Sequence, residues 1–152
     1  MARKETLIYD DERAACFNLT GVVGPGGSNE RGDVLLIQAM FRFIAEAASG
    51  LSKLGLRSRA DLPGVTGAFD GDTGFLITSF QLKWMRILTA QHIGLLFPGN
   101  YKEKIPAMGT GDRREAMFLL HQFAQESAAR LNKADYTSAM LSEFPELRGN
   151  LR

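Results

Sequence analysis

The sequence has few of the residues that announce a chemistry on their own. One cysteine, Cys16, stands among 152 residues. That excludes an internal disulfide and any multi-cysteine zinc site. Two histidines, His92 and His121, are too few for a convincing metal cluster, so neither metal nor cofactor is expected. The formal net charge is only +1, so no whole-chain field draws the protein to nucleic acid or an anionic membrane. No apolar run approaches the ~20 residues that span a bilayer, so membrane insertion is not expected. The N-terminal stretch "MARKETLIYDDERAACF" has no apolar core of signal-peptide length and carries acids throughout. Synthesis in the cytoplasm without a signal peptide is the expectation.

What is present is an ordinary globular mixture, 45% hydrophobic and 23% charged, enough to bury a core. Helical periodicity dominates. Over 30–48, Val34, Ile37, Phe41, Ile44 and Ala48 fall on one face of a 3.6-residue repeat. Asn29 or Ser28 is placed to cap that helix, with Glu30 and Asp33 at its positive end. A connector, 49–67, holds Pro63 and three basic residues, Lys53, Arg57 and Arg59, which read as solvated. The next helix, 71–89, has Asp70 as N-cap and Thr73, Ile77, Phe80, Trp84 and Ile87 as its buried stripe. A further helical stretch near 89–96 leads to the break "FPGN" and a second connector. Residues 112–132 form the clearest helix. Asp112 and Glu115 have capping-box spacing, and Met117, Leu120, Ala124, Ala128 and Leu131 line one face. A short helix over 135–144 ends before Pro145. At the N-terminus "TLIY" suits a short strand and "DDERAACFNL" a helical turn or two. The class is mainly α.

One loop raises a chemical question. "GVVGPGGSNERGD", residues 21 to 33, packs five glycines into thirteen residues. A phosphate-binding loop needs lysine at the position held by Gly27, to place positive charge on the β- and γ-phosphates. That lysine is absent, and no βαβ pattern follows. The tripeptide "RGD" within it falls in a helix's first turn and reads as coincidence.

The loop has another register. "VGPGGSNERGDVLLIQ" resembles the first half of the peptidoglycan-binding domain signature, a glycine-containing turn followed by an acid, a valine and a leucine–glutamine pair. Gly32, Asp33, Val34, Ile37, Gln38 and Phe41 carry the match. "GAFDGDTGFLITSFQ", 67 to 81, resembles the second half, G-x-F-G-x-x-T-x-x-x-V-x-x-F-Q. Gly67, Phe69, Thr73, Ile77, Phe80 and Gln81 are in register, with Asp70 where glycine is usual and Ile77 for valine. The resemblance implies a three-helix module over about 20–88, within a first unit of residues 1–88. It also implies peptidoglycan glycan strands or stem peptides as partner. Arg31, Arg42, Asp72 and Trp84 are the candidate ligand-binding residues, and Trp84 also fits the core.

A second unit, 89–152, carries a second resemblance. "GDRREAMFLLHQFAQESAARL" is similar to the first catalytic helix of chitinase-like and lysozyme-like glycoside hydrolases. Arg114, Ala116, Phe118, Leu119, Gln122, Ala124, Glu126 and Ser127 follow the family order, with Gln125 in place of histidine. "DYTSAMLSEFPEL" and "LTAQHIGLLFP" are similar to neighbouring segments. The resemblance implies that Glu126 would be the general acid. Glycoside hydrolysis usually needs a second carboxylate about 5 to 9.5 Å away. The positions where the family carries it are Leu131 and Asn132 here, and the rest of the hydrolase cleft is missing. His121 lies five residues before Glu126, off its face of the helix.

Three expectations result. The first is a non-catalytic wall-binding or targeting protein of a phage or antibacterial secretion system, acting at the cell wall after export or lysis. The alternative is a glycoside hydrolase using Glu126. The second alternative is a structural or interaction protein, with a protein partner, that has lost both activities. An open polar groove between helices 30–48 and 71–89 would favour binding; a groove filled by the C-terminal helices would favour a scaffold.

Overall fold

A computed structural model describes residues 2–9, 12–91, 104–108 and 115–151. The fold is mainly α, with a single two-stranded sheet among the described residues. Strands β1 (Arg3–Tyr9) and β2 (Glu12–Asn18) are antiparallel, in register from Arg3↔Asn18 to Tyr9↔Glu12. The helical turn expected over "DDERAACFNL" is therefore a strand. An isolated turn or two of helix is marginal in water, whereas β1 offers β2 a complete ladder. Tertiary contacts add to it: Phe17 N donates to Tyr136 Oη at 3.0 Å, and the two rings meet edge-on at 5.8 Å. Cys16 is buried beside them, and burial followed by the nearby Glu5 charge pushes its thiol up to about 11, so it stays an unreactive thiol.

Helix α1 (Arg31–Glu46) is the axis of the molecule. The sequence pattern gave it one apolar stripe. In the structure every residue from Gly32 to Ala45 except Arg42 is buried. It packs against α2 (Gly50–Lys53), α4 (Ala116–Arg130), α5 (Tyr136–Glu143) and the 3-10 turn Pro145–Asn150. A helix covered on all sides is hydrophobic all round, which "VLLIQAMF" is. Ala48, the last member of the expected stripe, lies beyond the helix end and is exposed.

The start of α1 also differs from expectation. Glu30 is the N-cap residue and makes no side-chain cap bond. Asn29 adopts φ 47° and turns its amide back, accepting from Gly24 N at 2.8 Å and donating to Gly24 O at 2.9 Å. Asp33 bonds the incoming chain, accepting from Thr20 N at 3.0 Å and Gly21 N at 2.9 Å. The loop thus spends the amides of Gly21, Gly24, Gly27 and Asn29 on the Asp33 carboxylate and on itself, so none of those four is free to hold phosphate. A Cβ on Gly27 would lie 2.5 Å from Val22 O, which is why glycine stands where a phosphate loop needs lysine. Gly32 and Asp33 are buried, so "RGD" is no accessible adhesion motif.

Helix α3 (Gly71–Ala90) begins as the sequence indicates, with Asp70 accepting from Thr73 N at 2.8 Å. The segments 92–103 and 109–114, including Asp112 and most of the second connector, lie outside the described residues. Glu115 is the N-cap of α4 and makes no side-chain cap bond. Asp135 caps α5 through Ser138 N at 3.0 Å. The first connector is not bare loop: it contains α2 and a 3-10 turn, Arg59–Asp61. Two of its basic residues are engaged, Lys53 with Glu126 and Arg59 with Ala45 O at 3.1 Å.

One continuous core runs through β2, α1, α3, α4 and α5. The two units drawn from the sequence share it. Ser127 Oγ of α4 donates to Ile44 O of α1 at 3.1 Å, and Val23 pairs with Ile105 in an isolated antiparallel bridge.

Candidate functional site

The two half-signatures meet in space. Gln38, from the middle of α1, faces the turn that leads into α3. Its Oε1 accepts from Thr66 N and Gly67 N, both at 2.9 Å. Its Nε2 donates to Ala68 O at 3.1 Å and Thr73 Oγ1 at 3.0 Å. Gly67 sits at φ +78°, and a Cβ there would lie 2.9 Å from Arg31 Cγ, so the turn closes on α1 only with glycine. One buried amide therefore fixes the direction in which α3 leaves.

A surface cleft of about 430 Å³ opens at that start of α3. Pro25 of the glycine turn, Phe69 and the first two turns of α3 line it. Phe75 is 57% exposed, an unusual setting for so large an apolar ring. A Cβ on Gly74 would touch the Phe69 ring at 3.4 Å, so the missing side chain lets that ring lie close against the helix. Asp70 lines the rim but is committed: the Thr73 hydroxyl first, then the Thr73 amide, hold its carboxyl below the usual range. Neither Phe69 nor Phe75 was singled out as a ligand group from the sequence. Phe69 reads as a signature position, and Phe75 lies outside the expected buried stripe of α3.

The four ligand candidates named from the sequence stand in different surroundings. Arg31 is exposed at the start of α1, and its Nη1 donates to Thr66 O at 2.9 Å. Asp72 is exposed in the first turn of α3. Arg42 is half-buried, donating from Nε to Pro63 O at 2.6 Å. Trp84 packs against the core near the other end of α3. Its ring lies 4.9 Å from Phe123 and its Nε1 donates to Lys53 O at 2.7 Å.

The space between α1 and α3 is filled. Phe41 and Phe80 meet edge-on at 5.4 Å, and Phe123 of α4 stands against Phe80 at 6.4 Å. Helix α4 thus occupies the groove that an exposed binding face would need.

Glu126 lies on the outer side of α4. Its side chain is 53% exposed and ion-paired with Lys53. A general acid needs a carboxyl desolvated in a cleft beside the scissile bond. The partner that Glu126 has is an ammonium, not a second carboxylate. His121, on the buried side of the same helix, meets Tyr136 Oη through Nδ1 at 3.0 Å. Burial pushes its imidazole down to about 4, so the ring is neutral near pH 7. A shallow groove of about 690 Å³ carries Glu46, Asp135 and Glu143. Burial raises the Glu143 carboxyl, whereas Asp135 is held ionised, at about 2, by the Thr137 hydroxyl and then the Ser138 amide.

Among the described residues no group of three His, Cys, Asp or Glu side chains could hold a metal ion, and no helix is long and apolar enough to cross a membrane. Compared with known proteins, the chain matches no family model, no curated protein and no solved structure.

Proposed function

We propose that the protein is a non-catalytic module that binds the bacterial cell wall through the cleft at the start of α3. The observation that carries this reading is the exposed Phe75 beside Phe69 and Pro25. Apolar ring faces flanked by polar groups suit the faces of sugar rings and the methyl groups of their N-acetyl substituents. Support also comes from the sequence resemblance and from Gln38, which joins its two halves. Arg31 and Asp72 stand at the starts of α1 and α3, where they would meet the polar parts of a glycan strand or stem peptide. Arg42 and Trp84, bonded to backbone carbonyls, would serve the scaffold.

The test is retention on purified peptidoglycan sacculi. Wild type should sediment with the sacculi, and Phe75→Ala should shift to the supernatant while keeping its circular dichroism and melting temperature. Folded wild-type protein left wholly in the supernatant would sink the proposal.

One observation favours a second reading, a structural or interaction protein. Phe123 of α4 fills the space between α1 and α3, so a binding face there has been traded for core. This reading expects no sacculus binding and a stable complex with a protein partner. A hydrolase acting through Glu126 has less support, because its carboxylate is exposed and paired with Lys53.

A further inference from the structure

Helix α3 has a second face that the core does not use. Its buried side carries Leu76, Ile77, Phe80, Gln81 and Leu88. On the opposite side, at about 100° per residue, Asp72, Phe75, Ser79, Leu82 and Arg86 fall within roughly 80° of one another. Phe75 and Leu82 are the exposed large apolar side chains among the described residues, at 57% and 41%. They stand two turns apart along one line of the helix.

The charges on this face are sorted by end. Asp72 is exposed in the first turn, and Arg86 is exposed towards the end. Their side chains make no hydrogen bond or ion pair among the described residues. Lys83 beside them is engaged with Ser52 O. The face is therefore acidic at its start and basic near its end, with the apolar pair between.

Such a face is complementary to itself. Laid antiparallel on a second copy about a two-fold axis, it sets Phe75 against Leu82 of that copy and Asp72 against Arg86, and the symmetry repeats both contacts. The two pairings agree on where the axis lies, because each is centred at Thr78–Ser79. Those side chains are small and half-buried, so the backbones can approach there. Asp72 and Arg86 lie on the same flank of Phe75, which a two-fold axis across the helices keeps on one side of the seam. A parallel pairing would instead set Asp72 on Asp72 and Arg86 on Arg86.

We infer that α3 is a self-association face, on which a second copy of this chain packs its own α3 antiparallel, centred at Thr78–Ser79. The charges select a second copy as the occupant, because one helix supplies both halves of each ion pair. Two ring–leucine contacts and two exposed ion pairs make a small interface, so the pair is weak and forms at high local concentration. Phe75 also borders the cleft proposed for the wall, so the pair and a wall ligand exclude each other there. The pairing does not rest on wall binding: it needs Leu82 and Arg86, which lie outside that cleft.

The test is sedimentation velocity of the full-length protein at low salt, where ion pairs are least screened. The dimer fraction should rise as concentration goes from about 10 μM to about 1 mM, the range of a small interface. Leu82→Ser should abolish it. Arg86→Asp turns two attractions into two repulsions and should weaken association about tenfold. Asp72→Arg combined with Arg86→Asp should restore it. Leu82 and Arg86 are exposed, so both single variants should keep the wild-type melting temperature. Should a variant unfold, a symmetric cross-link decides. Ser79→Cys, at the two-fold axis, should be joined to a second copy by a short bismaleimide, and Thr89→Cys, near the helix end, should not. Cys16 is buried and does not compete. Wild type that stays monomeric to about 1 mM, association unchanged in Leu82→Ser or Arg86→Asp, or no recovery in the double variant would overturn the inference. A monomer at every concentration leaves the sacculus test untouched, so the two readings fail separately.

Discussion

Gln38 and Thr73, thirty-five residues apart, share a buried hydrogen bond of 3.0 Å that joins the middle of α1 to the first turn of α3. The same amide holds Thr66 N and Gly67 N. Replacing Gln38 by alanine leaves two backbone donors without their acceptor and opens a hole beside them. The expected cost is about 3 kcal/mol. Urea unfolding of wild type and Gln38→Ala measures it, and a difference below ~1 kcal/mol would show that water takes over the amide's role.

Gly67 makes that turn possible. Gly67→Ala must hold an L-residue at φ +78° with its Cβ 2.9 Å from Arg31 Cγ and 3.1 Å from Leu35 Cγ. The backbone alone costs about 1 to 2 kcal/mol, and Leu35 is buried and cannot yield freely. A clear drop in melting temperature is expected, together with loss of sacculus retention if α3 tilts away from Pro25.

His121 sets a pH dependence. Its folded imidazole titrates at about 4, against an ordinary value of 6.5. The unfolded chain therefore binds a proton first as pH falls. Stability from the neutral ring is complete above pH 6.5, declines between 6.5 and about 4, and is lost below that. Melting temperatures across this window should fall in wild type. His121→Phe, which cannot take a proton, should flatten the curve in that interval while lowering it throughout, because the Tyr136 hydroxyl loses its His121 partner and keeps only Phe17 N.

Asp135 acts lower on the scale. Its folded carboxyl is held at about 2 against an ordinary 3.8, by the Thr137 hydroxyl and then the Ser138 amide. Its contribution is present above 3.8 and disappears as pH falls towards 2. Because the group is exposed at the surface, solvent screening keeps the effect modest. Asp135→Ala should lower the melting temperature at pH 7 and give a shallower acid limb below pH 4.

Glu126 separates the enzyme reading from the others. Exposed ion pairs contribute less than about 1 kcal/mol, so Glu126→Gln should leave stability nearly unchanged. Turbidity of wall suspensions should show no clearing by wild type and none by the variant. Clearing by wild type that the variant abolishes would establish a hydrolase.

Much of this was legible in the sequence because it depends on near neighbours. The bounds of α3 and α5 follow from Asp70 and Asp135, whose carboxylates reach the amides three residues on. The strand at Glu12–Asn18 was not legible, because its pairing with β1 and its bond to Tyr136 come from elsewhere in the chain. The cap of α1 was misread for a related reason: Asn29 is drawn to Gly24, and Asp33 to Thr20 and Gly21, by the path of the incoming loop. Which aromatic ring stays exposed was not legible, since exposure is not a local property. Trp84 is taken up by Phe123 and Lys53, whereas Phe75 is left in the open.

By itself, then, the sequence determined the helical class and most helix positions, since side-chain period and capping chemistry are written within a few residues. Tertiary structure alone decided that α4 would close the space between α1 and α3, that Glu126 would face Lys53, and that Phe75 and Leu82 would be left exposed on α3. Those outcomes depend on which distant surfaces must be buried together, and no local pattern specifies that.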